Sequence, residues 1–380
     1  MIYFDNSATT KPYAEVIDSY IKVAENFFGN PSSIHTLGSE AEKLLTQSRK
    51  LTAAMLNVNP SEIYFTSGGS EGNNLAIKGT SLEYQSRGKH MITTSVEHPS
   101  VLEAFKQLEY LGFDITYLPV DKAGRVNIET LKSAIRKDTI LVSIIHVNNE
   151  MGTIQPIAEI GKLLKDYPKI LFHVDNVQGI GKVPLNISAS GIDLCTFSGH
   201  KFHAMKGTGF IYIRDGVKLS AILSGGGQES GIRAGTENIA GIVSMTKALR
   251  MTLDKMATEI ANLQVLKEML ITGLSKIDGI VINTPKEESA PHIVNFSIPK
   301  LKPEVLIQSL SKENIYVSTK SACSSKLAQA SRILLEAGLG EEIAKSAIRV
   351  SFTFSNTAEE VNEFLNVLSQ KLSKLQEVMR

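Results

Sequence analysis

Between residues 60 and 215 short apolar runs recur, at 62–65, 90–94, 139–147, 170–174, 194–197 and 209–213. Several are continuously apolar rather than alternating, which is how a strand reads when both faces of its sheet are covered. The stretches between them are long enough for crossover helices, so a mostly parallel α/β sheet is expected here. Residues 236–274 then carry Ile242, Met245, Leu249, Met256, Ile260, Leu263, Leu266 and Leu270, the apolar face of one long helix. That helix reads as a bridge to an α+β segment with a strand at 292–298, a helix at 303–312 and a strand at 346–352. A last helix opens at Thr357, with Glu360 in capping-box register. At 380 residues the chain is long for a single core, and a large N-terminal domain with a smaller C-terminal one is the natural division.

Charge and cysteine content narrow the function. Forty Lys and Arg against 39 Asp and Glu give a net charge of +1, which is no footprint for direct nucleic-acid or anionic-membrane binding. No apolar run reaches the ~18 residues of a membrane span. The opening stretch holds Asp5 and no apolar h-region, so no signal peptide is expected and the cytoplasm is the default setting. Two cysteines, Cys195 and Cys323, exclude a disulfide framework and a multi-cysteine zinc site; no metal is expected. Cys195 lies in an apolar run and reads as inert core. Cys323 lies among small polar residues, 318–325, and reads as an exposed, reactive thiol.

In open α/β sheets ligands bind beyond the carboxyl ends of the strands. The chemistry-bearing residues of this chain follow the expected strands: Gly68, Gly69 and Ser70; His98; Asn148 and Asn149; Asp175; and Ser198, His200 and Lys201. The run 66–74 passes from a strand into a helix, where two glycines and free N–H groups favour a phosphate. It contains neither a Walker A pattern nor G-x-G-x-x-G, which leaves nucleotides little support. A carboxylate at the end of a buried strand, Asp175, needs a partner, and a cationic cofactor ring nitrogen is one; capping the next helix is the plainer alternative. Lys201, after another buried strand, is a candidate cofactor anchor and base. A rival reading is a Ser-dependent α/β-hydrolase: residues 68–72 fit G-x-S-x-G, with Ser70, Asp175 and His200 in chain order.

Together these residues resemble the cysteine desulfurases of the NifS/IscS type, in the pyridoxal-5′-phosphate (PLP) dependent aminotransferase superfamily of fold type I. The resemblance runs through residues 4–10, 29–33, 66–74, 97–98, 146–150, 173–178, 198–201, 225–229, 233–238, 321–325 and 348–349. It implies a large PLP-binding α/β domain over 15–255 on a seven-stranded-type sheet. It implies a small α+β domain from 1–14 and 256–380 that carries the catalytic cysteine. Lys201 would anchor PLP, Asp175 pair with its ring nitrogen, Gln178 contact its phenolic oxygen, and His98 stack on the ring and move protons. Gly69, Ser70, Ser198 and His200 would hold the phosphate, with Thr236 reaching it from the neighbouring subunit of a homodimer. Arg349 would clamp the substrate carboxylate, helped by Asn149 and Asn6. The implied reaction converts L-cysteine to L-alanine and leaves a persulfide on Cys323 for a sulfur-acceptor protein, an iron–sulfur scaffold or a thiolation enzyme.

Four residues depart from the family's pattern: Asn176, Ser230, Lys320 and Thr353. None removes a catalytic group, and they point to a specialised member. Selenocysteine lyase, cysteine-sulfinate chemistry, an aminotransferase and a non-enzymatic scaffold stay as alternatives. The acceptor is not legible in the residues.

Overall fold

The computed structural model describes residues 1–319 and 330–379. In chain order its strands are β1 (Ile2–Tyr3), β2 (Ile63–Thr66), β3 (His90–Thr94), β4 (Asp114–Leu118), β5 (Thr139–Ile145), β6 (Leu171–Asp175), β7 (Leu194–Ser198), β8 (Gly209–Ile213), β9 (Val281–Ile282), β10 (Ile293–Ser297), β11 (Ile315–Tyr316) and β12 (Ala347–Ser351). Its helices are α1 (Ala14–Asn26), α2 (Thr36–Leu56), α3 (Gly69–Tyr84), α4 (Pro99–Tyr110), α5 (Ile128–Ala134), α6 (Ile157–Leu164), α7 (Ile239–Leu274), α8 (Pro303–Ser311), α9 (Arg332–Glu336), α10 (Glu341–Lys345) and α11 (Ala358–Met379).

The large sheet has the order β2-β8-β7-β6-β5-β3-β4. β8 is antiparallel to both its neighbours, and the other pairings are parallel. The carboxyl ends of all its strands but β8 therefore share one edge. The continuous apolar runs are explained by two cores. Ile92, Val142 and Phe172 pack into a core with α2 and the first half of α7, while Met91, Leu141 and Leu171 pack into another with α3 and α4. Successive side chains of one strand thus feed opposite faces, and both faces are dry.

Expected boundaries shift where a polar residue takes over. Glu62 closes a 3-10 turn before β2, its carboxylate accepting Asn59 N at 2.8 Å. β5 stops at Ile145, because Asn148 folds the next residues into a turn, its Oδ1 accepting the N–H groups of Glu150 and Met151 at 2.9 Å. The long helix begins at Ile239, not 236, with Asn238 Oδ1 accepting Gly241 N at 3.0 Å. At the last helix Thr357 N donates to Glu360 Oε2 and Glu360 N to Thr357 Oγ1, which is the expected capping box.

α7 joins two halves of the molecule. Ile242, Met245 and Leu249 belong to the core under the large sheet, and Leu263, Leu266 and Leu270 to a separate core with the small sheet β12-β10-β9 and α11. β1 pairs in parallel with β11, Ile2 opposite Ile315, and so carries Ile2 and Phe4 into that second core. Among the described residues no helix is long and apolar enough to cross a membrane.

Candidate active site

A cavity of about 530 Å³ opens at the shared carboxyl-end edge of the large sheet. Gly69, Ser70, His98, Asn149, Asp175, Gln178, Ser198, His200, Lys201 and Arg349 all line it. Asp175 closes β6 and is wholly enclosed. Its Oδ1 accepts Val177 N at 3.0 Å and its Oδ2 accepts Asn73 Nδ2 at 2.8 Å. Both donors are neutral. Burial therefore raises its pKa, against the pull of those two bonds and of the Lys201 charge. A carboxylate held this way is a ready partner for a cation entering the cavity.

Lys201 ends the 3-10 turn that follows β7, and its Nζ donates to the backbone carbonyls of Ser7 and, at 2.8 Å, Ala8. Behind it, Lys182 is buried and donates from Nζ to the carbonyl of Lys201 at 2.8 Å. At the start of α3 the backbone comes close to the opposite wall. A Cβ at Gly69 would stand 2.8 Å from Val177 Cγ2, and Gly68 has φ +151, a conformation reserved for glycine. Gly69 and Ser70 thus offer helix-start N–H groups to an anion, with Ser198 Oγ facing Gly68.

His98 is the N-cap of α4, its side chain accepting Ser100 N. Burial and then the charges of Lys201 and Arg332 push its pKa down to about 4. His200 meets Thr9 Oγ1 at 3.2 Å, and burial with the charges of Lys201, Lys206 and His98 pushes it to about 3. Gln178 Nε2 donates to Ser7 O at 3.0 Å. Arg349 is 1% exposed. Its Nη2 pairs with Asp5 Oδ1 at 2.9 Å and its Nη1 donates to Asn149 O at 2.8 Å, while its Nε and Asn149 Oδ1 are buried and find no partner among the described residues.

Two expected residues stand elsewhere. Asn6 does not reach this cavity; its amide is spent on the carbonyls of Tyr3 and Ser351, and it lines a neighbouring hollow of about 960 Å³. Thr236 is exposed and borders a separate hollow of about 90 Å³, beside Ser67 and Gly207. Cys323, like Lys320, lies outside the described residues. Cys195 is buried in β7 and burial raises its thiol pKa, in keeping with a core residue. The hydrolase arrangement is not formed: Asp175 is bonded to Asn73 and Val177 and His200 to Thr9, and among the described residues no hydrogen bond joins Asp175 to His200 or His200 to Ser70. Of the departures, Asn176 Oδ1 meets His146 Nδ1 at 2.8 Å, Thr353 Oγ1 meets His203 Nε2 at 2.7 Å, and Ser230 takes φ +57 in a tight turn.

Sequence reasoning missed Asn73, Ser100, Lys206 and residues Ser7 to Thr9. Asn73 carried a signal, lying one helical turn beyond Gly69 on the same face. Ser7 to Thr9 carried none beyond their place in the opening motif.

The aminotransferase class-V family profile matches residues 2–364. A NifS/IcsS protein homolog of Lactobacillus delbrueckii subsp. bulgaricus is 50% identical over 367 residues, covering 96% of this chain and 95% of its own length. The cysteine desulfurase IscS of Dictyoglomus turgidum is 43% identical over 378 residues, 99% of this chain and 96% of its own. A solved NifS-like protein superimposes with a TM-score of 0.93 at 39% identity, covering 98% of this chain and 99% of that one. With the fold, the cavity and these likenesses in agreement, the chain belongs to the aminotransferase class-V family, in its NifS/IscS branch.

Proposed function

We propose that this chain is a PLP-dependent cysteine desulfurase that moves the sulfur of L-cysteine onto Cys323 and releases L-alanine. One observation carries the reading: a wholly buried carboxylate with only neutral donors, Asp175, shares a cavity with Lys201 and Arg349. The residues fit PLP. At ~4 Å and an effective dielectric of ~20, a ring cation attracts the Asp175 carboxylate by about 4 kcal/mol. Lys201 would hold the cofactor through Nζ, with Gln178 assigned to its phenolic oxygen and His98 to its ring. Gly69, Ser70, Ser198 and His200 would take its phosphate, together with Thr236 of the partner subunit in a homodimer. When bound, PLP supplies an electron sink for charge developing at the substrate α-carbon.

The remaining work falls to side chains. The Arg349 guanidinium, already oriented by Asp5 and the Asn149 carbonyl, binds the substrate carboxylate. Lys201 Nζ, freed when the substrate amine takes its place, takes the α-proton. The Cys323 thiolate attacks the substrate sulfur as the Cβ–S bond breaks; the bonding pair stays on Cβ and is protonated, Lys201 returns a proton to the α-carbon so that alanine leaves, and the persulfide left on Cys323 passes to an iron–sulfur scaffold or thiolation protein. A reduced, cytoplasmic setting suits that thiol. We assign a large domain to 15–255 and a small one to 1–14 and 256–380, a division supported by the two cores that α7 joins.

The test is a visible spectrum of the purified protein, then L-cysteine with assays for alanine and sulfide. A PLP band, alanine, and sulfide lost in Cys323→Ser while the band stays are the expected results. Full sulfide release by Cys323→Ser would end the role given to Cys323 and favour a selenocysteine lyase or another activity of the family. A protein that takes up no PLP would overturn the cofactor.

A further inference from the structure

His98 Nδ1 accepts the backbone N–H of Ser100 at 3.1 Å and lies 2.8 Å from Ser100 Oγ. Ser100 Oγ accepts from Asn73 Nδ2 at 2.9 Å, and the same Nδ2 donates to Asp175 Oδ2 at 2.8 Å. Each link has only one direction. A backbone N–H can only donate, so it favours a bare Nδ1, and at 3.1 Å it is the longer of the two contacts there. A carboxylate can only accept, so Asn73 must turn its NH₂ toward Asp175 and thereby toward Ser100. Turning the amide over would press its carbonyl oxygen against the carboxylate. With Oγ already accepting from Asn73, the Ser100 hydroxyl proton is directed to Nδ1.

We infer that the Asp175 carboxylate, acting through the positioning residues Asn73 and Ser100, holds His98 as the tautomer with its proton on Nε2. The open ring nitrogen is then a hydrogen-bond donor and not a base: it can give a proton, and it cannot take one before it has given that one. Surroundings favour the neutral ring, since burial and the charges of Lys201 and Arg332 all oppose a second proton. Arg332 Nη2 also donates to the Glu97 carbonyl at 2.7 Å, fixing the residue just before His98. The chain ties the group assigned to the cofactor's ring nitrogen to the group assigned to its face. It rests on the proposed function only for what His98 faces, not for the tautomer.

The test is nitrogen NMR of PLP-loaded enzyme labelled with ¹⁵N-histidine, the His98 signals assigned by their loss in His98→Gln. The expected spectrum shows one tautomer, Nε2 protonated and Nδ1 bare. Ser100→Ala keeps the backbone bond but cuts the chain, and should raise the Nδ1-protonated share several-fold; Ser100→Thr should restore the original pattern. A proton on Nδ1 in the unaltered enzyme, or a Ser100→Ala spectrum identical to it, would overturn the inference. The expected tautomer in a protein that shows no PLP band would support it and count against the proposed function alone.

Discussion

Lys182 is 3% exposed and, among the described residues, its ammonium donates to one backbone carbonyl, that of Lys201. Burial lowers its pKa to about 8, from an unfolded value of about 10.4. The sign follows. Below about pH 8 both states carry the proton and the burial cost is constant. Between about 8 and 10 only the unfolded state carries it, so stability rises with pH across that window. Lys182→Met should abolish that rise. The stability difference, wild type minus variant, should grow by on the order of 1–2 kcal/mol between about pH 7.5 and 9.5. Denaturant unfolding at the two pH values reads it directly, and a difference that does not change with pH would refute the argument. This residue was not legible in the sequence, where a lone lysine in the connection well beyond a strand's end looks like surface. Lys201 and Asp175 were legible because each ends an apolar run, a position where a charge has no reason to sit unless it has work there. Asp5 and Ser100 were not, since their partners Arg349 and Asn73 come from distant parts of the chain.

Helix α6 shows what an element's packing asks of one residue. A Cβ built on Gly161 would stand 1.7 Å from the carbonyl oxygen of Ser190, a backbone atom in the turn before β7. That turn cannot yield as a side chain would, so Gly161→Ala should cost about 2–3 kcal/mol. A thermal melt should fall by several degrees while the bound-cofactor absorbance of the folded protein stays as it was; an unshifted melt would show that α6 is free to slide. Elements buried on both faces were the readable ones, and β3, β7 and β8 were expected from residues that match their bounds or miss them by one. β4 was not expected. It is the edge strand of the large sheet and pairs only with β3, and its half-exposed residues leave no continuous apolar run to read.

At the scale of the molecule, the N-terminal segment holds the two halves in register. Phe4 is fully buried, its ring set edge-on to Phe352 at 5.1 Å and to Phe364 at 5.8 Å. Phe4→Ala should therefore cost about 3–5 kcal/mol. It should also weaken cysteine binding, because Asp5, next in the chain, orients Arg349, and Ser7 and Ala8 hold Lys201. A raised KM accompanying the lowered melting temperature is the expected result; a stability loss with unchanged KM would separate the core from the site. The two-part organisation was visible in the helical stretch spanning 239–274, whose apolar face outlasts any single core. The return of residues 2–9 to the boundary between the halves has no such pattern. It depends on a two-residue strand and on hydrogen bonds to residues more than three hundred positions away.

That long return has a consequence for how the enzyme comes into being. A ribosome makes Asp5 and Ser7 first, yet Asp5 meets Arg349, Ser7 N meets Ser351 Oγ, and Ile2 lies against Ile315. The large sheet is complete once residue 213 has emerged. The Asp5–Arg349 pair, the proposed carboxylate clamp, must wait until nearly the whole chain is outside. The cover of the large sheet needs the first half of α7 as well, so its core can close once residue 249 is out, whereas a chain halted between there and residue 349 lacks the Arg349 guanidinium altogether.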